Sequence, residues 1–389
     1  MENTVRANTT SQKVGSAFTK EDTLKVKGLA IILLIIHHCF LAPDRYEGQT
    51  VIFAPFSERK FNFIALSFKI CVALFLFISA YGITISYKRQ FPGYRFTAKE
   101  SEKAIIKRLI KMLSGFIFVF MLAQLYSVIV VRGGRYEFLY GTGVLSLLYF
   151  FIDALGLAEM FSTPTFLATF WYMSLATIAV ILIPMLIKAY KKFGIISVLF
   201  VSVLVRMFFE PSVETHFCYL PDYLFCIAIG VWSADIDIIG LIEDKRISTN
   251  NSINSIIKLL VILVAGAVMM YLRQKTRYTV ILPVWDGIIP ILTCYLVHMY
   301  IGRIPIISDV LTYLGKHSMN IFLVHNFVRI LWYYNFTYSF KYWWLITIVL
   351  LGISIVLSNI VEILKKITNY NKLVLQLLSR CDDLYKESV

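Results

Sequence analysis

The chain has 389 residues, 58% of them hydrophobic, with mean hydropathy +0.71 and a formal net charge of +14 at pH 7. Apolar runs spread along that length exclude a sizeable soluble domain and describe an all-α polytopic integral membrane protein. The basic excess does not imply nucleic acid, because Lys and Arg gather in particular loops, where they first report orientation.

Residues 1–24 are polar, and the first apolar run passes straight into two histidines without a small-residue cleavage site, so no cleavable signal peptide is expected. That segment is read as cytoplasmic, ahead of a membrane domain over 25–366 and a cytoplasmic tail over 367–389. The first helix, Val26–Cys39, reads VKGLAIILLIIHHC, with Lys27 at its mouth and His37 and His38 far inside. Eleven residues separate Lys27 from His38. At ~100° and ~1.5 Å per residue, the two lie on nearly one face, about 16 Å apart. Ionisable groups inside a span are costly and count as functional candidates by default. The blander role for either histidine is a hydrogen bond to a neighbouring helix.

Spans are expected at about 28–43, 62–87, 109–131, 166–188, 192–209, 217–236, 254–273, 279–301, 308–333 and 342–364, about ten in all. The second carries one charge, Lys69 near its outer end, and a small-residue face of Ser79, Ala80 and Gly82 suited to close helix packing. Lys20, Lys25 and Lys27 put the N-terminus inside, and the basic connection Lys88 to Lys111 belongs there too. The stretch 143–161, with Asp153 and Glu159, is placed by the later basic clusters. If it crossed, Lys188, Lys191 and Lys192 would face out, as would Lys365, Lys366 and Lys372. It is therefore read as an interfacial or re-entrant helix on the outer side, with both termini cytoplasmic. Arg273, Lys275 and Arg277 then face out, the smaller violation. The tail contains a short amphipathic piece expected on the inner membrane surface. No internal repeat is evident.

A thioester donor such as an acyl-CoA has a strongly anionic end and an uncharged reactive tip on a long arm. It needs cations at an entrance, which Lys27, Lys107, Arg108 and Lys111 supply, and a deep base, for which His38 or His37 is the candidate. A neutral imidazole accepts the proton of a hydroxyl nucleophile. Phe170 to Ser174 reads FWYMS, with Pro184 thirteen residues after Trp171. Leu314–His325 reads LGKHSMNIFLVH, so Ser318 and a further intramembrane imidazole, His325, share a face. Asp222 and Asp286 are the carboxylates nearest to spans, and either would serve to orient a histidine. The six cysteines are scattered without paired spacing, which supports neither a disulfide framework nor a zinc site. There is no P-loop, GxGxxG, HExxH, GxSxG or clustered acidic site, so no metal is expected and nucleotide-driven chemistry is not supported.

Together these stretches resemble the membrane acyltransferase-3 family, which moves acyl groups, usually acetyl, onto cell-envelope sugars. Its Arg/Lys-x10-His first helix is matched by Lys27 and His38. Its second-helix pattern is matched by Val72, Ala73, Leu74, Phe75, Ser79 and Tyr81, with Ala80 replacing a glycine. The basic loop motif is loosely present from Lys107 to Leu113, without its proline. Trp171, Tyr172 and Pro184 match the Trp-Tyr…Pro motif, and Leu314, Gly315, Ser318, Ile321, Phe322, Leu323 and His325 match the closing one. A glutamate found in some members is here Ala176, which likens the chain to short, unfused members acting on surface polysaccharides.

The resemblance implies a bacterial plasma-membrane protein using acetyl-CoA, with Lys27, Lys107, Arg108 and Lys111 holding donor phosphates. His38 would activate a hydroxyl of a glycan or lipid-linked sugar acceptor, or relay the acyl group covalently. Direct activation is preferred, with His325, Ser318 and Trp171 on the acceptor side and His37 packing. The alternatives are a flippase for a lipid-linked sugar and a non-catalytic accessory subunit of polysaccharide export.

Overall fold

A computed structural model describes residues 16–130, 136–209 and 218–387. Most of the cytoplasmic segment expected at 1–24 lies outside the described residues. The elements are α1 (Lys20–Phe40), α2 (Glu58–Ser67), α3 (Ile70–Gln90), α4 (Ala98–Ile129), α5 (Tyr136–Tyr140), α6 (Val144–Ala154), α7 (Trp171–Phe193) and α8 (Ile195–Phe208). They continue as α9 (Leu220–Ile236), α10 (Ile238–Asp244), α11 (Asn251–Lys275), α12 (Leu282–Met299), α13 (Pro305–Asn326), α14 (Tyr334–Tyr338), α15 (Trp343–Ile367) and α16 (Tyr370–Glu387). Among the described residues there is no strand, only an isolated bridge between Ile52 and Tyr342.

Among the described residues seven helices are long and apolar enough to cross a membrane, eight if the bent pair α9–α10 is one span. Outward faces are apolar as lipid requires: α11 exposes Leu260, Val264 and Val268 at four-residue spacing, each more than half accessible. The expected span at 192–209 is the 14-residue α8, whose rise of ~21 Å falls short of the ~30 Å hydrocarbon core. In the stretch 143–161, α6 has only 11 residues. Its end is tied down by Asp153, fully buried, which accepts from Tyr140 Oη (2.7 Å), Thr165 Oγ1 (2.9 Å) and the Phe166 amide (2.6 Å). A carboxylate so satisfied fixes a turn-back rather than a crossing.

The bundle is centred on α1, which a capping box of Thr19 and Asp22 starts. Its main neighbour is α13. A Cβ on Gly28 would overlap the Leu311 carbonyl, and one on Gly315 would overlap the Leu24 carbonyl, so glycine alone permits this approach. The contacts are reciprocal. Leu24 and Leu311, Gly28 and Gly315, and His38 and His325 are each 287 apart, so two parallel helices present the same Leu-x3-Gly-x9-His face to each other. No repeat was expected; this correspondence is confined to one helix pair. On the other side, Gly230 of α9 meets Phe77 and Ala80 of α3, which makes Ala80 a packing residue.

One sequence expectation needs correction, that Asp222 or Asp286 would serve to orient a histidine. Arg273 is buried at the end of α11 and paired through Nε and Nη2 with Asp286 of α12. Asp222 pairs with Arg206 at 2.8 Å. Both carboxylates neutralise buried guanidinium groups, so neither is available to orient a histidine. The tail, in turn, folds into α16 and packs along α4, with Tyr370 Oη on the Ser114 carbonyl at 3.0 Å.

Candidate active site

The ends of α1 and α13 bring two imidazoles into contact. His38 Nδ1 lies 2.7 Å from His325 Nε2, and the rings stack at 4.9 Å between centroids. The proton positions follow from the partners. His325 Nδ1 faces the main-chain carbonyls of Phe322 (2.8 Å) and Ile321 (3.1 Å), which only accept, so this nitrogen carries the hydrogen. A neutral His325 then has its lone pair on Nε2, and His38 Nδ1–H donates to it. That leaves the lone pair of His38 on Nε2, which bonds to none of the described residues. The helix backbone thus sets one tautomer and that sets the next.

Asn326 offers a competing contact to the same nitrogen. Its Oδ1 accepts from Arg329 Nε at 2.7 Å, which turns its Nδ2 toward His38 Nδ1 at 3.4 Å. The 2.7 Å contact to His325 dominates, since giving His38 Nδ1 to Asn326 would require a second proton on His325 beside the Arg329 cation. Arg329 belongs to a π-helical turn, Phe327–Trp332, that closes α13. It is 1% exposed, and its Nη1 reaches Tyr338 Oη at 3.5 Å, whose own hydroxyl donates to the Cys39 carbonyl.

His38 and Lys27 line one cavity of about 550 Å³, a size suited to a small ligand. Ser79, Trp171 and Ser318 line it too, as do Arg45, Lys69 and Arg329. Among the described residues Lys27 forms no ion pair, which leaves its ammonium for a ligand. His37 also touches the cavity, but its Nδ1 is held by the Ala65 carbonyl at 2.9 Å. The break between α2 and α3 at Phe68–Lys69 turns Lys69 into the same space, where it approaches the Tyr219 ring at 5.5 Å.

The other basic candidates divide by helix face. Lys103 and Lys107 of α4 both bind Asp382 of α16, at 2.9 and 2.7 Å. Those two bonds hold the Asp382 carboxyl down to about 2. Lys111, one turn further along the same face, is exposed. Arg108 is half-buried one turn before the cavity-lining Met112. None of the three, Lys107, Arg108 or Lys111, itself lines the cavity.

The remaining motif residues are structural neighbours. Tyr81 Oη bonds Ser16 Oγ at 2.6 Å, and Pro184 is buried within α7. Ser174 of α7 donates to the Gly156 carbonyl at 2.7 Å and so pins the turn after α6. Sequence reasoning missed Arg329 and Asn326. The signal was present: a lone arginine in FVRILW, four residues after His325. Among the described residues no cluster of metal-ligating side chains occurs.

The intramembrane imidazole pair is held in one tautomer, and its His38 member lines a cavity that Lys27 also lines. Residues 26–362 match the acyltransferase-domain model of the acyltransferase-3 family, and the chain belongs to that family. It is a membrane acyltransferase in class. No curated protein and no solved structure matches it.

Proposed function

We propose that the protein transfers an acetyl group from acetyl-CoA to a hydroxyl of a cell-surface or lipid-linked glycan. One observation carries the reading: Lys27 and His38 open on one cavity, and His325 fixes His38 with its Nε2 lone pair free. The anionic end of the donor binds at Lys27, with the half-buried Arg108 of α4 a further cation for it, and the thioester reaches the imidazole. His38 Nε2 takes the proton of the acceptor hydroxyl, and the oxygen attacks the thioester carbonyl carbon. As the tetrahedral intermediate collapses, the C–S bond breaks and the CoA sulfur leaves with the proton from His38. Direct transfer needs only this base, whereas an acyl-imidazole route would require His38 to move away from His325.

On this reading the donor binds from the cytoplasmic side of a bacterial plasma membrane, with both termini on that side, which the basic clusters around Lys27 and along Lys88 to Lys111 support. The test is restoration of glycan O-acetylation in cells lacking the gene, at matched membrane levels. His38→Ala is expected to abolish it, Lys27→Ala to reduce it with Lys27→Arg restoring it, and His37→Ala to change it little. Acetylation retained in His38→Ala overturns the reading and favours a flippase or an accessory role.

A further inference from the structure

The cavity has cations at both ends, and only the one at the Lys27 end is accounted for by a CoA donor. Arg45 follows the end of α1, Lys69 precedes α3 and Arg329 follows α13, so these three surround the histidine end. Among the described residues that line the cavity there is no aspartate or glutamate. Arg45 has one carboxylate nearby, its exposed neighbour Asp44 at 3.6 Å, and its Nε makes no hydrogen bond. Lys69 approaches the Tyr219 ring, and among the described residues no carboxylate stands within ion-pair distance of it.

Arg329 is the sharpest case. It is 1% exposed, its bonds go to the neutral Asn326 and Tyr338, and among the described residues no carboxylate stands within ion-pair distance. Elsewhere the same chain neutralises its buried guanidinium groups, Arg273 with Asp286 and Arg206 with Asp222. An uncompensated buried charge is strongly destabilising, and so is removing one partner from a buried pair. A fold that tolerates such a cation only beside its base, with two more cations at the rim, is missing an anion there.

Resting on the acyl-transfer reading, we infer that Arg45, Lys69 and Arg329 form an acceptor subsite for an oxyanion, so that the glycan acetylated carries a carboxylate or a phosphate close to the reacting hydroxyl. The Arg329 fork suits a planar two-oxygen group, and the rim cations draw it in from the outer side. A neutral sugar would leave Arg329 buried without a counter-charge during the reaction.

The test uses membranes containing the full chain, radiolabelled acetyl-CoA and envelope glycan extracted from cells that lack the gene. The glycan is supplied untreated, with its carboxyl groups reduced to alcohols, or with its phosphodiesters removed by hydrofluoric acid. Loss of transfer of at least ten-fold is expected in one treated arm, and the arm identifies the anion. Lys69→Gln and Arg45→Gln are expected to raise the KM for untreated glycan several-fold without changing that for acetyl-CoA. Each also narrows the difference between untreated and neutralised glycan. Arg329→Gln is expected to lose transfer, with partial rescue by Arg329→Lys; the rim variants decide the matter if Arg329 variants fail to fold. Equal transfer to all three glycans, or Lys69 and Arg45 variants indistinguishable from wild type, overturns the subsite while leaving acyl transfer in place. No transfer to untreated glycan by the wild-type chain overturns the acyl-transfer reading and the subsite with it.

Discussion

Two groups of cations look alike in the sequence and differ in the fold. Lys103 and Lys107 lie on α4 in a basic run and point toward the tail helix, where Asp382 takes both. Lys27 and Arg329 line the cavity that holds His38, and have no carboxylate partner among the described residues. The first pair is half-buried at the surface, screened by salt and satisfied within the chain. The second is uncompensated where water is scarce, which is why the proposed donor and acceptor anions are assigned to it. Local abundance of charge reports topology, whereas a cation without an internal partner reports a site.

The largest expected effect comes from forcing the two histidine helices apart. Gly315→Leu places a side chain on the Leu24 carbonyl, and backbone shifts of this kind cost ~1–3 kcal/mol or more. It should lower both the melting temperature in detergent and the yield of folded protein, and Gly352→Leu, at a glycine with open space around it, should not. Next is His325→Ala, which removes the acceptor of the His38 proton. Transfer should fall by about 100-fold with the KM for acetyl-CoA unchanged. His325→Asn, which keeps an acceptor, should recover part of the loss, as a purely space-filling role for His325 would not allow.

A smaller change is expected of Lys27→Ala: a KM for acetyl-CoA about ten-fold higher, equivalent to ~1.4 kcal/mol, with kcat nearly kept. Smallest of all is Lys107→Ala, for which transfer within two-fold of wild type is expected, together with faster proteolysis of α16. Because the Asp382 carboxyl is held near 2, below the ordinary carboxylate range, its contribution to tail docking is full above about pH 4 and lost as pH falls through 2. Between pH 5 and 8 docking should therefore respond to salt and not to pH. A Lys107→Ala chain as impaired as Lys27→Ala would erase the distinction between the two groups of cations.

Much of the helical layout was legible because hydropathy and the basic clusters are long-range averages that single residues do not upset. Where the fold departs, a single residue decides. Phe68–Lys69 breaks one apolar run into α2 and α3, and Arg273, at the end of its span, is buried in an ion pair with Asp286. Lys27 and His38 could be placed on a common face because both sit on one helix and helical geometry is fixed. The His38–His325 bond joins residues 287 apart, and no local periodicity carries such a distance. For the same reason the search for a carboxylate to orient His38 failed: Asp222 and Asp286 are spent on arginines that only the fold brings to them.

The most direct measurement is single-turnover acetyl transfer by the purified full-length chain in vesicles, comparing wild type with His38→Ala at equal folded protein and saturating acetyl-CoA. General-base action by His38 requires a fall of at least about 100-fold with acetyl-CoA binding unchanged. A His38→Ala rate within three-fold of wild type would contradict it.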